Sequence, residues 1–508
     1  MRSKKAVINT IINLLEEFVA VICGFILPRL ILTAFGSKYN GLMTSITQFL
    51  SCAVLLRFGI GGVTRAALYK PLAQNNKAQI DAIMKATDLF MRKIGLILGF
   101  GIIVFAAIYP LFVSDEFEWL FTFSLFVIIG INTFVDSFFG NTYLILLQAD
   151  QKLWVSSLLK TICYILNTIV IAILICLNAS IHMVKLGSTA ALVLYPIILR
   201  VYVKKKYRIN SDVEPDNSAI SQRWDAFWHQ AANFVMSNTD IMVLTFFTNM
   251  FEVSVYSVYI LVANGLKKIV FSLSNGLEAA FGNMIAKKEN TVLKESLSLV
   301  EWIMYSVSTV VYTCATVLIL PFVKIYTSGI NDVDYMRPVF ACILMIAQFF
   351  NCIRIPYQLV VQAAGHYNQT RNGAIFEAFL NLFLSIILVI KYGIVGVAIG
   401  TLVATVFRTM QYSVYLCRHI VNRKQSVTLF RIVVSLAEAV ITILIVNCVH
   451  LPQSNSYSDW IVNAAVTGVV SCCVVGVGSL LFNKKDINNL RKKIRFMLVK
   501  REIKDVNE

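Results

Sequence analysis

Stretches of about 20 or more mostly apolar residues recur along this chain, separated by short polar breaks, and each is long enough to cross roughly 30 Å of hydrocarbon. In lipid every backbone N–H and C=O must find its partner within the protein, so such runs fold as a bundle of helices. A water-soluble fold would have too little polar surface to solvate. Of the 508 residues, 57% are hydrophobic and 14% charged, against about half and about a quarter in soluble domains. The spacing predicts an all-α integral membrane protein of about fourteen transmembrane helices, near 7–33, 41–64, 89–112, 118–146, 154–177, 180–203, 224–248, 252–274, 299–322, 337–363, 370–391, 394–417, 429–449 and 460–482.

The net charge of +17 sets topology. Basic residues cluster at Arg2, Lys4 and Lys5, from Arg65 to Lys93, Arg200 to Arg208, Lys267 to Lys294 and Arg418 to Arg431, and in the tail from Lys484 to Lys504. These clusters fall at alternate breaks, which is the positive-inside pattern, and the intervening breaks are neutral or acidic, as at Ser114-Asp115-Glu116. The expectation is a multi-pass protein of the plasma membrane with both termini cytoplasmic. No groove- or strand-reading motif accompanies the charge, which excludes nucleic acid as a partner. The Lys204-Lys205-Lys206 and Arg491-Lys492-Lys493 runs suit anionic membrane lipids or plain topogenic anchoring. The eleven cysteines are scattered and the five histidines dispersed, so no metal site, disulfide framework or cofactor is expected. Glu16 and Glu17 lie in the first run and no small-residue cleavage site follows it, so it reads as a span and not a removable signal.

The chain repeats its rhythm. Residues 1–203 hold six spans (N-lobe), and 204–223, with Glu214-Pro215-Asp216-Asn217, read as a cytoplasmic linker. Residues 224–417 hold six more (C-lobe), 418–482 two additional spans, and 483–508 a basic cytoplasmic tail. Each half carries glycines late in its second span (Gly59, Gly61 and Gly62; Gly276 and Gly282), followed by a basic amphipathic stretch. An even number of spans per half keeps the halves in one orientation, related by a pseudo-two-fold axis along the membrane normal around a central cavity.

Four tracts carry a family resemblance: Gly24-Phe25-Ile26-Leu27-Pro28-Arg29-Leu30-Ile31 leading to Phe35-Gly36-Ser37-Lys38-Tyr39-Asn40-Gly41-Leu42; Phe58-Gly59-Ile60-Gly61 leading to Ala67-Leu68-Tyr69-Lys70-Pro71-Leu72-Ala73; Leu146-Leu147-Gln148-Ala149-Asp150-Gln151-Lys152; and Thr370-Arg371 through Glu377, Asn381-Leu382 and Ser385 to Gly393-Ile394-Val395-Gly396-Val397. In order and spacing they resemble the Wzx-type flippases, the polysaccharide-transporter branch of the multidrug/oligosaccharidyl-lipid/polysaccharide exporter superfamily. The resemblance implies a multidrug-exporter-like fold and no enzymatic activity. It implies translocation of undecaprenyl-diphosphate-linked oligosaccharide repeat units for surface polysaccharide biosynthesis, by alternating access. The partners it implies are the lipid-linked oligosaccharide, membrane lipids, a polysaccharide polymerase and other export-pathway proteins. An ion-coupled drug or metabolite exporter of the same fold is the alternative, and coupling to a proton or sodium gradient stays open.

Moving a lipid-linked diphosphate breaks no covalent bond, but its charged headgroup must be sheltered from hydrocarbon. Arginine suits that task through its planar fork of donors. The intramembrane candidates are Glu17, Arg29, Arg57, Asp136, Asp240, Arg354, Glu377, Arg408 and Glu438. Each would cost about 2.5–3.5 kcal/mol facing lipid, so most must face protein or water. Arg57, Arg354 and Arg29 are the candidate substrate-binding cations. Arg57 has a second reading, an ion pair with Asp136. Arg354 precedes Pro356, which can open the helix there, and Arg29 follows Pro28 near a span end, where gating and snorkelling are both open. Glu17, Asp136, Asp240 and Glu377 are the cavity-lining or ion-coupling carboxylates. Glu17 is placed on one face with Asn13 and Gly24, Asp240 on one with Asn233, and Glu377 on one with Asn381 and Ser385. Gly95-xxx-Gly99 and Gly396-xxx-Gly400 read as close helix packing.

Overall fold

The computed structural model describes residues 2–53, 57, 60–210, 212–220, 238–274, 277–449, 452, 454–484 and 486–489. It is built of helices: α1 (Arg2–Phe35), α2 (Ser37–Ala53), α3 (Ile60–Ala73), α4 (Lys77–Ile108), α5 (Trp119–Val135), α6 (Asn141–Ala149), α7 (Leu153–Cys176) and α8 (Ile181–Tyr207). A helical stretch over 238–247, α9, precedes α10 (Met250–Ser272), α11 (Leu277–Ala286), α12 (Asn290–Tyr326), α13 (Pro338–Ile353) and α14 (Ile355–Ala363). The chain closes with α15 (Tyr367–Tyr392), α16 (Ile394–His419), α17 (Ser426–Cys448) and α18 (Tyr457–Phe482). Among the described residues, 12 helices are long and apolar enough to cross a membrane, and each matches one of the expected spans. The two other expected spans, 41–64 and 224–248, run over residues outside the described set, as do Gly59, Gly276, Asn233 and the tail basic run.

The outward-facing residues explain why so apolar a chain folds this way. Phe100, Leu96, Ile390, Leu444 and Val469 are exposed at the helix surfaces, which in water would be a large sticky patch and in lipid is a solvated face. Hydropathy misplaces some helix ends. The spans expected from 89 and 299 begin at Lys77 and Asn290, because hydropathy marks only the part of a helix in lipid, and the helix continues as a polar extension. Asn76 caps α4, its side chain accepting from the Gln79 backbone N–H at 3.2 Å.

The chain divides into two compact units, Met1–Ser257 with Gly329–Val333, and Val258–Ser328 with Asp334–Glu508; the first boundary falls within α10. In the first unit, α1 lies along α7 through a ladder of polar contacts. The Asn9 amide donates to the Gln151 carbonyl at 2.9 Å, Ser157 donates to Asn13 Oδ1 at 2.5 Å, and Lys160 faces Glu16 at 3.5 Å. Bonds between helices in lipid add cohesion that apolar contact with lipid-like neighbours does not. Gly36, at φ +86°, turns the chain from α1 into α2, and Asp332 accepts from both the Ser37 backbone N–H and its hydroxyl, each at 2.6 Å.

In the second unit α15 and α16 pack closely, joined by Gly393 at φ +55°, a backbone that residues bearing a Cβ rarely adopt. A Cβ on Gly396 would fall 2.3 Å from the Leu388 carbonyl oxygen, and one on Gly400 2.9 Å from the Ser385 backbone nitrogen. In the first unit Gly95 and Gly99 accept Phe138 and Phe134 against α4 in the same way. Both glycine pairs therefore serve close packing.

Candidate functional site

Two ionic clusters gather four of the seven sequence-predicted residues. In the first unit, Arg57 Nη1 donates to Asp136 Oδ2 at 2.6 Å. Asp136 opens a five-residue π-helical turn, Asp136–Gly140, between α5 and α6. A π turn widens the helix locally and is a frequent mark of functional sites. Here it carries Asp136 to Arg57 and keeps 36% of the Asp136 side chain exposed. Gly140 closes the turn, where a Cβ would meet Pro196 Cβ at 2.7 Å and Asp136 Oδ1 at 3.1 Å.

The second cluster lies in the second unit. Arg354 stands at the junction of α13 and α14, where Pro356 removes the N–H that would have bonded back one turn. Its Nη1 donates to Glu377 Oε1 at 2.7 Å and its Nη2 to Asn351 Oδ1 at 2.8 Å, while its buried Nε has no acceptor among the described residues. Glu377, on α15 and 4% exposed, turns its other oxygen to Arg408 Nε at 3.3 Å. Arg408, on α16, donates to the Thr370 carbonyl at 2.9 Å and the Tyr412 hydroxyl at 2.8 Å, and also bonds Gln411. Lys267 of α10 completes the set, in electrostatic range of both Arg354 and Glu377. Two guanidiniums thus share one carboxylate, a surplus of one positive charge before Lys267 is counted.

The remaining predicted residues stand apart. Asp240 accepts from the Tyr256 hydroxyl at 2.8 Å, which ties α9 to α10. Asn238 beside it accepts from Gln48 at 2.6 Å. Arg29 is half-buried and α1 runs unbroken through Pro28. Glu17 is exposed on α1. On the same helix Asn13 accepts from Ser157 of α7, on the side that also carries Asn9 and Glu16 to that helix.

One ionic network escaped the sequence reading. Arg423, between α16 and α17, grips Glu301 of α12 with both terminal nitrogens at 2.7 Å. Arg431 of α17 lies 3.4 Å from the same carboxylate and 2.8 Å from Asp486, and also donates to the Ser298 carbonyl at 3.0 Å. Burial opposes the charge on Arg423, but the hydrogen bonds and charge of Glu301 outweigh it and hold the guanidinium above its ordinary pKa. Arg423 and Arg431 belong to a basic cluster assigned to topology; here they fasten α17 and the segment beyond α18 to α12. Glu301 sits near the start of an expected span, and its depth there was the available signal.

No family model matches the chain, and no curated protein matches it in sequence. Solved structures do match its fold. A lipid II flippase, MurJ, in an inward closed conformation covers 94% of this chain and 100% of its own length, with TM-score 0.72 and 14% identity. An inward-facing multidrug resistance transporter of the MATE family, of the MOP superfamily, covers 81% of this chain and 98% of its own, with TM-score 0.64 and 13% identity. A MOP superfamily transporter from Pyrococcus furiosus, described as having a binding pocket of reverse polarity, covers 79% and 95%, with TM-score 0.55 and 11% identity. The fold is thus the all-α, multidrug-exporter-like membrane fold that these transporters and flippases share.

Proposed function

We propose that this chain is a flippase that moves undecaprenyl-diphosphate-linked oligosaccharide repeat units across the plasma membrane by alternating access. The observation that carries the reading is the charge balance at Glu377. Arg354 and Arg408 pair with a single carboxylate, Lys267 lies in electrostatic range of it, and Arg354 keeps a buried donor unused. A diphosphate supplies the negative charge and planar acceptors that such a surplus favours. A cation exporter would favour the opposite balance, with carboxylates in excess around its guest.

The flippase reading uses no covalent chemistry and no cofactor. Arg57 and Arg354 are the residues proposed to meet the diphosphate, with Arg29 a further cation. Asp136 and Glu377 are their counter-ions when no guest is present, and Glu17 and Asp240 are the other carboxylates proposed to line the path or couple an ion. Two six-span lobes, 1–203 and 224–417, would rock about the site, with 204–223 as the cytoplasmic linker, both termini cytoplasmic and 418–482 as accessory spans. The likeness to a lipid II flippase over nearly the whole chain supports a lipid-linked guest. A polymerase of the export pathway is the proposed protein partner.

The test is translocation of a defined diphosphate-linked oligosaccharide by purified protein in vesicles, under varied proton and sodium gradients. The Arg57→Ala, Arg354→Ala double variant is expected to lose transport and surface polysaccharide at normal membrane levels. Wild-type export by that variant would overturn the reading.

A further inference from the structure

Among the intramembrane charges, Glu438 has no part in the transport reading. It stands midway along α17 and is 8% exposed. Asp136, Glu377, Glu301 and Asp486 each have a guanidinium at 2.6–2.8 Å. Among the described residues, the Glu438 side chain has no ion pair and no hydrogen bond. A carboxyl group has thus been placed at membrane depth without the counter-ion that the others have.

The place is built for it. The carboxyl lies over the backbone of α18 at Gly478, where a Cβ would collide with Glu438 Oε1. Beside it is a cavity of about 20 Å³, lined by Trp302, Tyr305, Arg431, Ser435, Ser479 and Asn483, with room for one water molecule. Arg431, Ser435 and Glu438 recur at helical spacing on one face of α17, so the cavity runs from mid-helix toward the end where α18 stops at Phe482. The neighbouring charged and titratable groups are engaged elsewhere. Arg431, two turns away and roughly 10 Å along the axis, pairs with Glu301 and Asp486, and Arg423 also holds Glu301. On α12 the Tyr305 hydroxyl shares a hydrogen bond with that of Tyr357 at 2.9 Å. On α18 Ser479 accepts from Trp302 Nε1 at 3.0 Å, and Lys484 beyond that helix is exposed.

A carboxylate ion here would have neither a counter-charge nor enough water to solvate it, and such a charge inside a bilayer is costly. The neutral acid avoids that cost. We propose that Glu438 is a proton-binding site that exchanges its proton through this cavity with the side of the membrane at which α18 ends. Release moves the carboxyl O–H proton to a water in the cavity, which passes a proton on to the bulk, and leaves the carboxylate; uptake is the reverse. The clusters at Arg57 and Arg354 take no part, so the site stands or falls independently of the transport reading.

The experiment is infrared difference spectroscopy on the full chain in lipid nanodiscs, as wild type, Glu438→Gln and Glu438→Asp. At about pH 6, where an exposed glutamate is ionised, wild type is expected to show a protonated-carboxyl C=O band that is absent from Glu438→Gln. That band should shift in D₂O and fade reversibly as pH is raised from about 6 to 10. Glu438→Asp should retain a titrating band at a displaced frequency, which makes the assignment even where the glutamine variant fails to fold. Two results overturn the proposal. One is a wild-type spectrum with no band that Glu438→Gln loses or Glu438→Asp displaces. The other is a band that neither exchanges in D₂O nor fades with pH, the mark of a sealed structural acid.

Discussion

Replacing Glu377 by Gln removes one negative charge and almost no volume, so it isolates the electrostatics of the second-unit cluster. In the native arrangement the carboxylate accepts from Arg354 at 2.7 Å and faces Arg408 at 3.3 Å. Two unit charges about 4 Å apart attract by about 4 kcal/mol at an effective dielectric of about 20. Two such pairs would lose about twice that, but Glu377 also recovers its desolvation cost when neutralised, and the Arg354 side chain is 16% exposed and partly screened. Removing one partner of a buried pair costs about 3–5 kcal/mol, and that is the expected loss. The assay is equilibrium unfolding in mixed micelles titrated with SDS. Removing a cation as well, in Glu377→Gln/Arg408→Gln, should recover part of the loss, giving a coupling energy of about 1–3 kcal/mol. Inorganic pyrophosphate should stabilise the single variant more than wild type, since it can occupy the charge that Glu377 vacates. A single variant within about 0.5 kcal/mol of wild type, with additive double-variant behaviour, would refute the claim that these cations depend on Glu377.

Glu301→Gln should cost a similar 3–5 kcal/mol and expose the chain around Arg423 to protease, because the completely buried Glu301 anchors Arg423 and Arg431; unchanged proteolysis would refute the anchoring role. The raised Arg423 pKa puts the loss of this pair's stabilisation above the guanidinium's ordinary, already very alkaline, range, since a raised folded pKa keeps its contribution until pH passes it. SDS unfolding should therefore show no contribution from Arg423 ionisation between about pH 6 and 9, read as a pH-independent difference between wild type and Arg423→Gln. Gly396→Ala should destabilise by about 1–3 kcal/mol, since the new Cβ meets the Leu388 backbone at 2.3 Å, whereas Gly24→Ala, with nothing within 4 Å of its Cβ, should be close to neutral in the same assay.

The length and number of apolar runs predicted the helices because bilayer thickness fixes how long each must be. The Arg57–Asp136 pair was legible for a similar reason: two opposite charges deep in the second and fourth runs have few places to go. Pro356 likewise marked Arg354 as lying at a helix junction. What stayed hidden depends on contacts between distant positions. Arg423 and Arg431 sit in a basic cluster whose charge satisfies the topology rule, and nothing local distinguishes a guanidinium in water from one folded back onto Glu301. The π turn was hidden too, since Asp136–Gly140 reads as continuous helix and Gly140's close approach to Pro196 joins positions far apart in the chain. Hydropathy gave the face of α1 that is polar but not the neighbour it meets, so Ser157 as the partner of Asn13 could not be read from the sequence.

The sharing of Glu377 reconciles two demands on a charged site in a membrane. A bare guanidinium in hydrocarbon is too costly to keep, and one that shares its carboxylate turns to a guest more readily than one in a private pair such as Arg57–Asp136. One carboxylate divided between Arg354 and Arg408 keeps the cations tolerable and leaves each incompletely neutralised. On the proposed reading, an arriving diphosphate completes the neutralisation without first having to break a strong private pair. On the same proposed reading, its departure returns the cations to Glu377, which gives the empty carrier a stable state from which to reorient.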